Sequence, residues 1–159
     1  MTNNINKKSI NAYPISSHAH DSTQKISVIL KADSGATNHY FKVSDMKILQ
    51  QIQKLKHKKF VELPDSTNIN VTHQGLLPLP NILSDAAKTA QILPNLSNSS
   101  LLSIGQLCDD NCWGIFNKKD LLIFKKRKLI LRGKRNPMDG LWDVHLKSSK
   151  PETTPTKHA

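Results

Sequence analysis

The sequence predicts an all-β domain of short strands with one or two short helices. Apolar and polar residues alternate over residues 25–32, short apolar runs recur between turn-forming residues, and only one stretch has a sustained helical spacing. Strands repeated at such intervals suit a barrel or a sandwich. With 159 residues the chain is long enough for one domain and short for two.

Residues 1–24 are polar and rich in Asn, Ser, Lys and His, and are expected to be a disordered lead-in. The folded domain is expected over residues 25–146. Residues 147–159 carry two prolines and no large apolar side chain, and are expected to be a disordered tail or linker. In the first strand Ile26, Val28, Leu30 and Ala32 share one face, and Lys25, Ser27, Ile29 and Lys31 the other. Residues 44–59 are expected to be helical. Ile48, Ile52 and Leu55 fall at i, i+4 and i+7, Ser44 can cap the start, and basic residues gather near the end. Residues 60–63 read as a strand entering a turn at 64–68, and residues 69–79 as the returning strand, with Gly75 marking a bulge or a close approach. Residues 86–93 are ambiguous but can form a strand. A short helical turn is expected around 105–107. Strands at 113–116, 121–126 and 128–131 complete the set.

Composition sets limits on function. The hydrophobic fraction is 37%, and the six glycines bring it to about 41%, below the usual 45–50%, so part of the chain is expected outside the core. The formal net charge of +11 favours contact with polyanions but names no partner. No apolar stretch approaches membrane-spanning length, so no membrane association is expected. The first twenty residues hold no apolar core of a secretory signal. Two cysteines make no disulfide framework, so a reducing, intracellular, cytoplasmic setting is expected. Cys108 and Cys112 flank a short loop without a second Cys/His pair nearby. They are expected to be ordinary thiols, with neither a metal nor a cofactor bound.

The chemistry-bearing segment is Asp33-Ser34-Gly35-Ala36-Thr37, where a strand ends in a carboxylate at the head of a turn of small residues. A carboxylate that activates water must face a cleft and have its oxygens met by nearby backbone N–H groups. Gly35 and Ala36 are small enough to let that backbone come close. Asp33 is therefore the candidate catalytic residue, and Ser34, Gly35, Ala36 and Thr37 the candidate active-site turn. The plainer reading is an ordinary Asp-Ser-Gly turn closing a strand. His39 is expected to be a structural residue of the turn.

Residues 32–39, Ala-Asp-Ser-Gly-Ala-Thr-Asn-His, resemble the Asp-Ser/Thr-Gly-Ala turn of retropepsin-like aspartic proteases, and in particular the protease segment of Copia-type retrotransposon Pol polyproteins. Residues 100–107, Ser-Leu-Leu-Ser-Ile-Gly-Gln-Leu, resemble a second signature of that family. Leu93-Pro94-Asn95-Leu96 precedes it as in the family, and Gly140-Leu141-Trp142-Asp143-Val144 resembles the closing segment. The likeness spans about residues 26–146. It implies a retropepsin-like closed β-barrel with a flap hairpin over residues 61–79 that turns near Asp65 and Ser66. It also implies a strand through Leu101, Leu102 and Ile104 that leads to Gly105 behind the active-site turn. Two positions depart from the pattern. Lys31-Ala32 stand where the family has bulky apolar residues, and Ser66 stands where many relatives have glycine, at a position of positive φ.

The resemblance implies an aspartic endopeptidase that processes a Gag-Pol polyprotein, in the cytoplasm or in a virus-like particle. Such enzymes use two facing carboxylates, and this chain carries one Asp-Ser-Gly. A homodimer would supply the second Asp33, and Ser34 would bond across the twofold axis. The alternative is a catalytically inactive, retrotransposon-derived module that binds nucleic acid or protein. Lys125, Lys126, Arg127, Lys128, Arg132, Lys134 and Arg135 make seven basic residues in eleven, a candidate surface for non-specific nucleic-acid contact. The plainer expectation is the solvated face of a basic hairpin, because the segment itself contains no aromatic residue on which a base can stack.

Overall fold

In the computed structural model, which describes residues 23–151, ten strands follow in chain order. They are β1 (Thr23–Asp33), β2 (His39–Phe41), β3 (Gln50–Glu62), β4 (Asn68–Leu76), β5 (Thr89–Ile92), β6 (Leu101–Ser103), β7 (Cys112–Phe116), β8 (Asp120–Lys125), β9 (Lys128–Arg135) and β10 (Trp142–Pro151). A 3₁₀ turn covers Val43–Ile48, α1 covers Asp85–Lys88 and α2 covers Ile104–Asp109. Among the described residues no helix is long and apolar enough to cross a membrane.

The alternation in β1 does what its pattern requires. Val28 and Leu30 are buried at 4% and 0% exposure, whereas Ile29 between them is 47% exposed. Each such burial contributes about 1.5–3 kcal/mol. A one-residue slip would turn Leu30 out and Ile29 in, so the register is fixed. β1 pairs antiparallel with β10 from Thr23 opposite Pro151 to Lys31 opposite Asp143. The expected tail therefore starts later than residue 147, because Lys147 lies within this ladder opposite Ser27. The rest of the expected lead-in and tail lies outside the described residues.

All ten strands form one sheet in the order β3-β4-β5-β2-β6-β1-β10-β9-β8-β7. The fold is mostly β, but the sheet is open, which corrects the expected closed barrel. Closure would need β3 to pair with β7. Lys54, Lys56, Lys58 and Lys59 line β3, and Lys118 and Lys119 follow β7, so joining these edges would bring like charges together. Charged edges of this kind resist strand pairing.

A second correction concerns residues 44–59, which form a 3₁₀ turn and most of β3 rather than a helix. Ile48 and Leu49 are fully buried, but Ile52 is 37% exposed, so the apolar spacing does not mark one buried helical face. Pairing decides the outcome: β4 has β5 on one side and needs a partner on the other, and β3 supplies it. A helix would also set Lys54 and Lys58 one turn apart, where like charges repel. The hairpin expected over residues 61–79 is accordingly longer on its first arm. Its turn lies where expected, and Ser66 has φ 66°. Residues 86–93 divide into α1 and β5 because the Ser84 hydroxyl caps the helix, accepting from Ala87 N–H at 3.2 Å. Gly75 is a close approach: a Cβ there would lie 3.0 Å from Leu49 Cβ and 3.2 Å from the Gln50 carbonyl.

The main core lies beneath β1, β5, β8 and β10 and includes Leu30, Ile92, Leu121 and Val144. A smaller cluster of Tyr40, Ile69, Val71 and Leu93 supports the hairpin, with Val61 and Leu63 packed against it.

Candidate active site

Asp33 is the last residue of β1, paired in parallel register with Ser103 of β6. One carboxylate oxygen, Oδ1, accepts the Gly35 N–H at 2.7 Å. A Cβ on residue 35 would sit 3.3 Å from that oxygen, so glycine lets the turn close on the carboxylate. Asp33 is partly exposed, and Ser34 and Gly35 are exposed. Among the described residues the Ser34 hydroxyl makes no hydrogen bond. Thr37 Oγ1 and the Tyr40 hydroxyl lie 2.8 Å apart.

The turn is held from behind by the start of α2. Ser103 Oγ donates to the Ala36 carbonyl at 2.6 Å and accepts the Gln106 N–H at 3.0 Å. The Gln106 carboxamide oxygen accepts the His39 N–H at 2.7 Å, and its nitrogen donates to the Ala86 and Thr89 carbonyls, both at 2.7 Å. His39 is fully buried and bonded on both sides of its ring. The Ser103 N–H donates to Nδ1 at 2.9 Å, so Nε2 carries the proton and donates to the Ala87 carbonyl at 2.8 Å. Burial lowers its pKa to about 4, a shift that the Ala87 bond only partly offsets. A neutral imidazole thus serves here as a structural bridge.

A cleft of about 680 Å³ opens over this turn. Asp33, Gly35, Ala36, Thr37 and Tyr40 form one wall, and the tip of the β3–β4 hairpin, from Lys59 to Ser66, forms the other. Leu63 N–H bonds the Thr67 carbonyl at 2.8 Å, and Asp65 accepts the Thr67 N–H at 2.9 Å, which closes the tip. Between Lys54 and Lys59 the ladder shifts register, leaving residues 55–58 bulged from the hairpin. Gln91 also lines the cleft; it is 5% exposed, and its carboxamide oxygen has no hydrogen-bond partner among the described residues.

The remaining sequence candidates lie elsewhere. Lys31 pairs with Asp139 and Asp143, so its charge is matched beside the turn. Burial opposes its charge, but the two carboxylates outweigh burial and raise its pKa. Lys125 pairs with Asp110, whose carboxyl it holds below the usual range. Lys134 pairs with Asp120 at 3.4 Å, and Arg135 lies 5.0 Å over the Trp142 ring. Lys126 and Arg127 form the β8–β9 turn. Cys108 is exposed and Cys112 buried; burial pushes the Cys112 thiol up. Sequence reading missed the roles of Ser103 and Gln106. Their signal was the Ser-x-x-Gln spacing of a helix capping box, in which serine caps residue 106 while the glutamine reaches the turn instead of its own helix start. Compared with known proteins, the chain matches no family model, no curated protein and no solved structure.

Proposed function

We propose that the chain is one half of an aspartic endopeptidase, active as a homodimer on an extended segment of a retrotransposon polyprotein. The supporting observation is the placement of Asp33: at a cleft walled by a long hairpin, on a small-residue turn clasped by the second motif of the resemblance. Peptide hydrolysis by carboxylates needs one base and one acid. Two carboxyl groups a few Å apart share one proton, because like charges cannot both ionise there. The ionised one takes a proton from water, whose oxygen bonds to the scissile carbon. The neutral one gives its proton to the carbonyl oxygen. When the C–N bond breaks, the leaving nitrogen takes up a proton. The free hydroxyl of Ser34 is available to bond across the axis. The hairpin would close on the substrate and exclude water.

Glu62, on the hairpin, is the other acid among the residues lining the cleft. It is exposed on the hairpin, whereas Asp33 sits on a clasped turn. The two sources of the second carboxylate are separated by a peptide-cleavage assay across protein concentration. The dimer reading expects activity per chain to rise with concentration, to vanish in Asp33→Asn and to persist in Glu62→Gln. Cleavage by the Asp33→Asn protein overturns the enzymatic reading. Activity per chain that is independent of concentration and lost in Glu62→Gln overturns the dimer.

A further inference from the structure

We propose that the outer face of the β7–β8–β9 meander binds single-stranded nucleic acid, with a base stacked on Trp113 and phosphates held by Lys126, Arg127 and Arg132. Cross-strand pairing defines this face. Trp113 is opposite Phe124 and Phe124 opposite Leu129, while Ile115 is opposite Leu122 and Leu122 opposite Arg132. Residues directly opposite one another share a face, as do residues two apart on β8. The other face carries Leu121 and Ile123, buried at 0% and 1% exposure in the core. Trp113, Ile115, Leu122, Phe124, Leu129 and Arg132 therefore share the outward face, with Lys126 and Arg127 in the turn at its end, whereas Lys128, opposite Lys125, belongs to the other face.

Trp113 and Phe124 stack with ring centroids 4.6 Å apart and planes 17° from parallel. The indole N–H donates to the Lys126 carbonyl at 3.3 Å, which fixes the ring. β7 ends the sheet, so among the described residues no strand covers the side of the indole away from Phe124, and Trp113 is 48% exposed. An aromatic plane backed on one side and open on the other suits a nucleobase. The sequence run of basic residues held no such platform; a neighbouring strand brings one to it.

Charge selects the occupant. Ile115 and Leu129, 45% and 42% exposed, would suit many apolar partners. Beside them, Lys126, Arg127 and Arg132 have no carboxylate partner among the described residues, whereas Lys125 and Lys134 are already paired. A second copy docked antiparallel along β7 would set its Lys118 and Lys119 near Lys126–Lys128 of the first, and repel it. A partner with flat apolar rings and regular negative charge meets both requirements. A duplex hides its rings, so the strand must be single.

The test is fluorescence anisotropy of the full chain with a labelled twelve-nucleotide oligothymidylate at several salt concentrations. Binding should weaken as salt rises. Trp113→Ala should weaken it at least fivefold, on the order of one lost base stack, and Trp113→Phe should restore most of it. Arg127→Gln combined with Arg132→Gln, at exposed positions, should flatten the salt dependence. Asp33→Asn should bind like the parent, which separates this surface from the peptidase reading. Absence of binding overturns the proposal. So does equal binding of duplex DNA that is insensitive to Trp113→Ala, since that is charge alone. Equally tight, Trp113-dependent binding of a polyglutamate peptide overturns it in favour of a protein partner, and a homodimer dissolved by Trp113→Ala overturns it in favour of a second copy.

Discussion

Ser103 Oγ donates to the Ala36 carbonyl at 2.6 Å, joining segments 67 residues apart in sequence. The same residue caps α2 through Gln106 and donates its N–H to His39. The turn that carries Asp33 is thereby anchored to the helix behind it and to a buried ring. The position of the carboxylate depends on this clasp as well as on β1.

Ser103→Ala is accordingly expected to destabilise the fold by about 2–4 kcal/mol. It removes a helix cap and leaves the Ala36 carbonyl unpaired. Urea unfolding measures the loss, and Ser103→Thr should recover part of it. A change below 0.5 kcal/mol, on the order of an ordinary surface substitution, would show that water replaces the bond without penalty.

Ser66→Gly is expected to stabilise the hairpin tip. Ser66 has φ 66°, where a Cβ is crowded and glycine is not. The gain is about 0.5–1 kcal/mol locally, reduced by the greater freedom of glycine in the unfolded chain. Hydrogen exchange at Ser66 N–H, bonded to the Leu63 carbonyl at 2.9 Å, reads it directly. Faster exchange in the variant would contradict the strain argument.

Much of this arrangement was legible in the sequence, for reasons that particular residues make plain. The face of β1 followed from strict alternation at Val28, Ile29 and Leu30, a local property. The hairpin turn followed from Pro64, Asp65 and Ser66 for the same reason. β3 was not legible, because its apolar residues repeat at a helical interval and only its partner β4, beyond the turn, makes it a strand. The open sheet escaped for a related reason: closure depends on which edges meet, and the charges that keep β3 and β7 apart lie far apart in sequence. Asp33 and its turn stood out by their place at the end of a strand and by the motif around them, whereas the contacts of Ser103 and Gln106 with that turn exist only once the chain has folded.

Gln91→Leu should separate stability from substrate binding. The buried carboxamide oxygen has no partner, and such an atom costs about 1–3 kcal/mol. Leucine, of similar size, should leave stability unchanged or raise it. If a substrate N–H completes Gln91 in the proposed peptidase, KM should rise severalfold while kcat changes little. Thermal unfolding and a KM-against-kcat comparison give the two readouts. An unchanged KM would remove Gln91 from the substrate contacts.

The neutral ring of His39 sets how the fold responds to acid. Its folded pKa is about 4, and an unfolded histidine titrates near 6.5. Between those values the unfolded chain binds a proton that the folded chain refuses. The stability contributed by this residue is therefore full above pH 6.5 and declines as pH falls towards 4, by up to about 3 kcal/mol. Protonation would also oppose the Ser103 N–H, which needs Nδ1 as an acceptor. The proposed peptidase would thus lose support for the turn that holds Asp33 as the pH falls. Urea midpoints measured from pH 7.5 to 4, with the His39 ring followed by NMR, should show falling stability while that ring stays neutral above pH 5. A ring that titrates near 6.5 in the folded protein would mean that the bridge to Ser103 and Ala87 opens readily, and the acid sensitivity of the fold would then have another source.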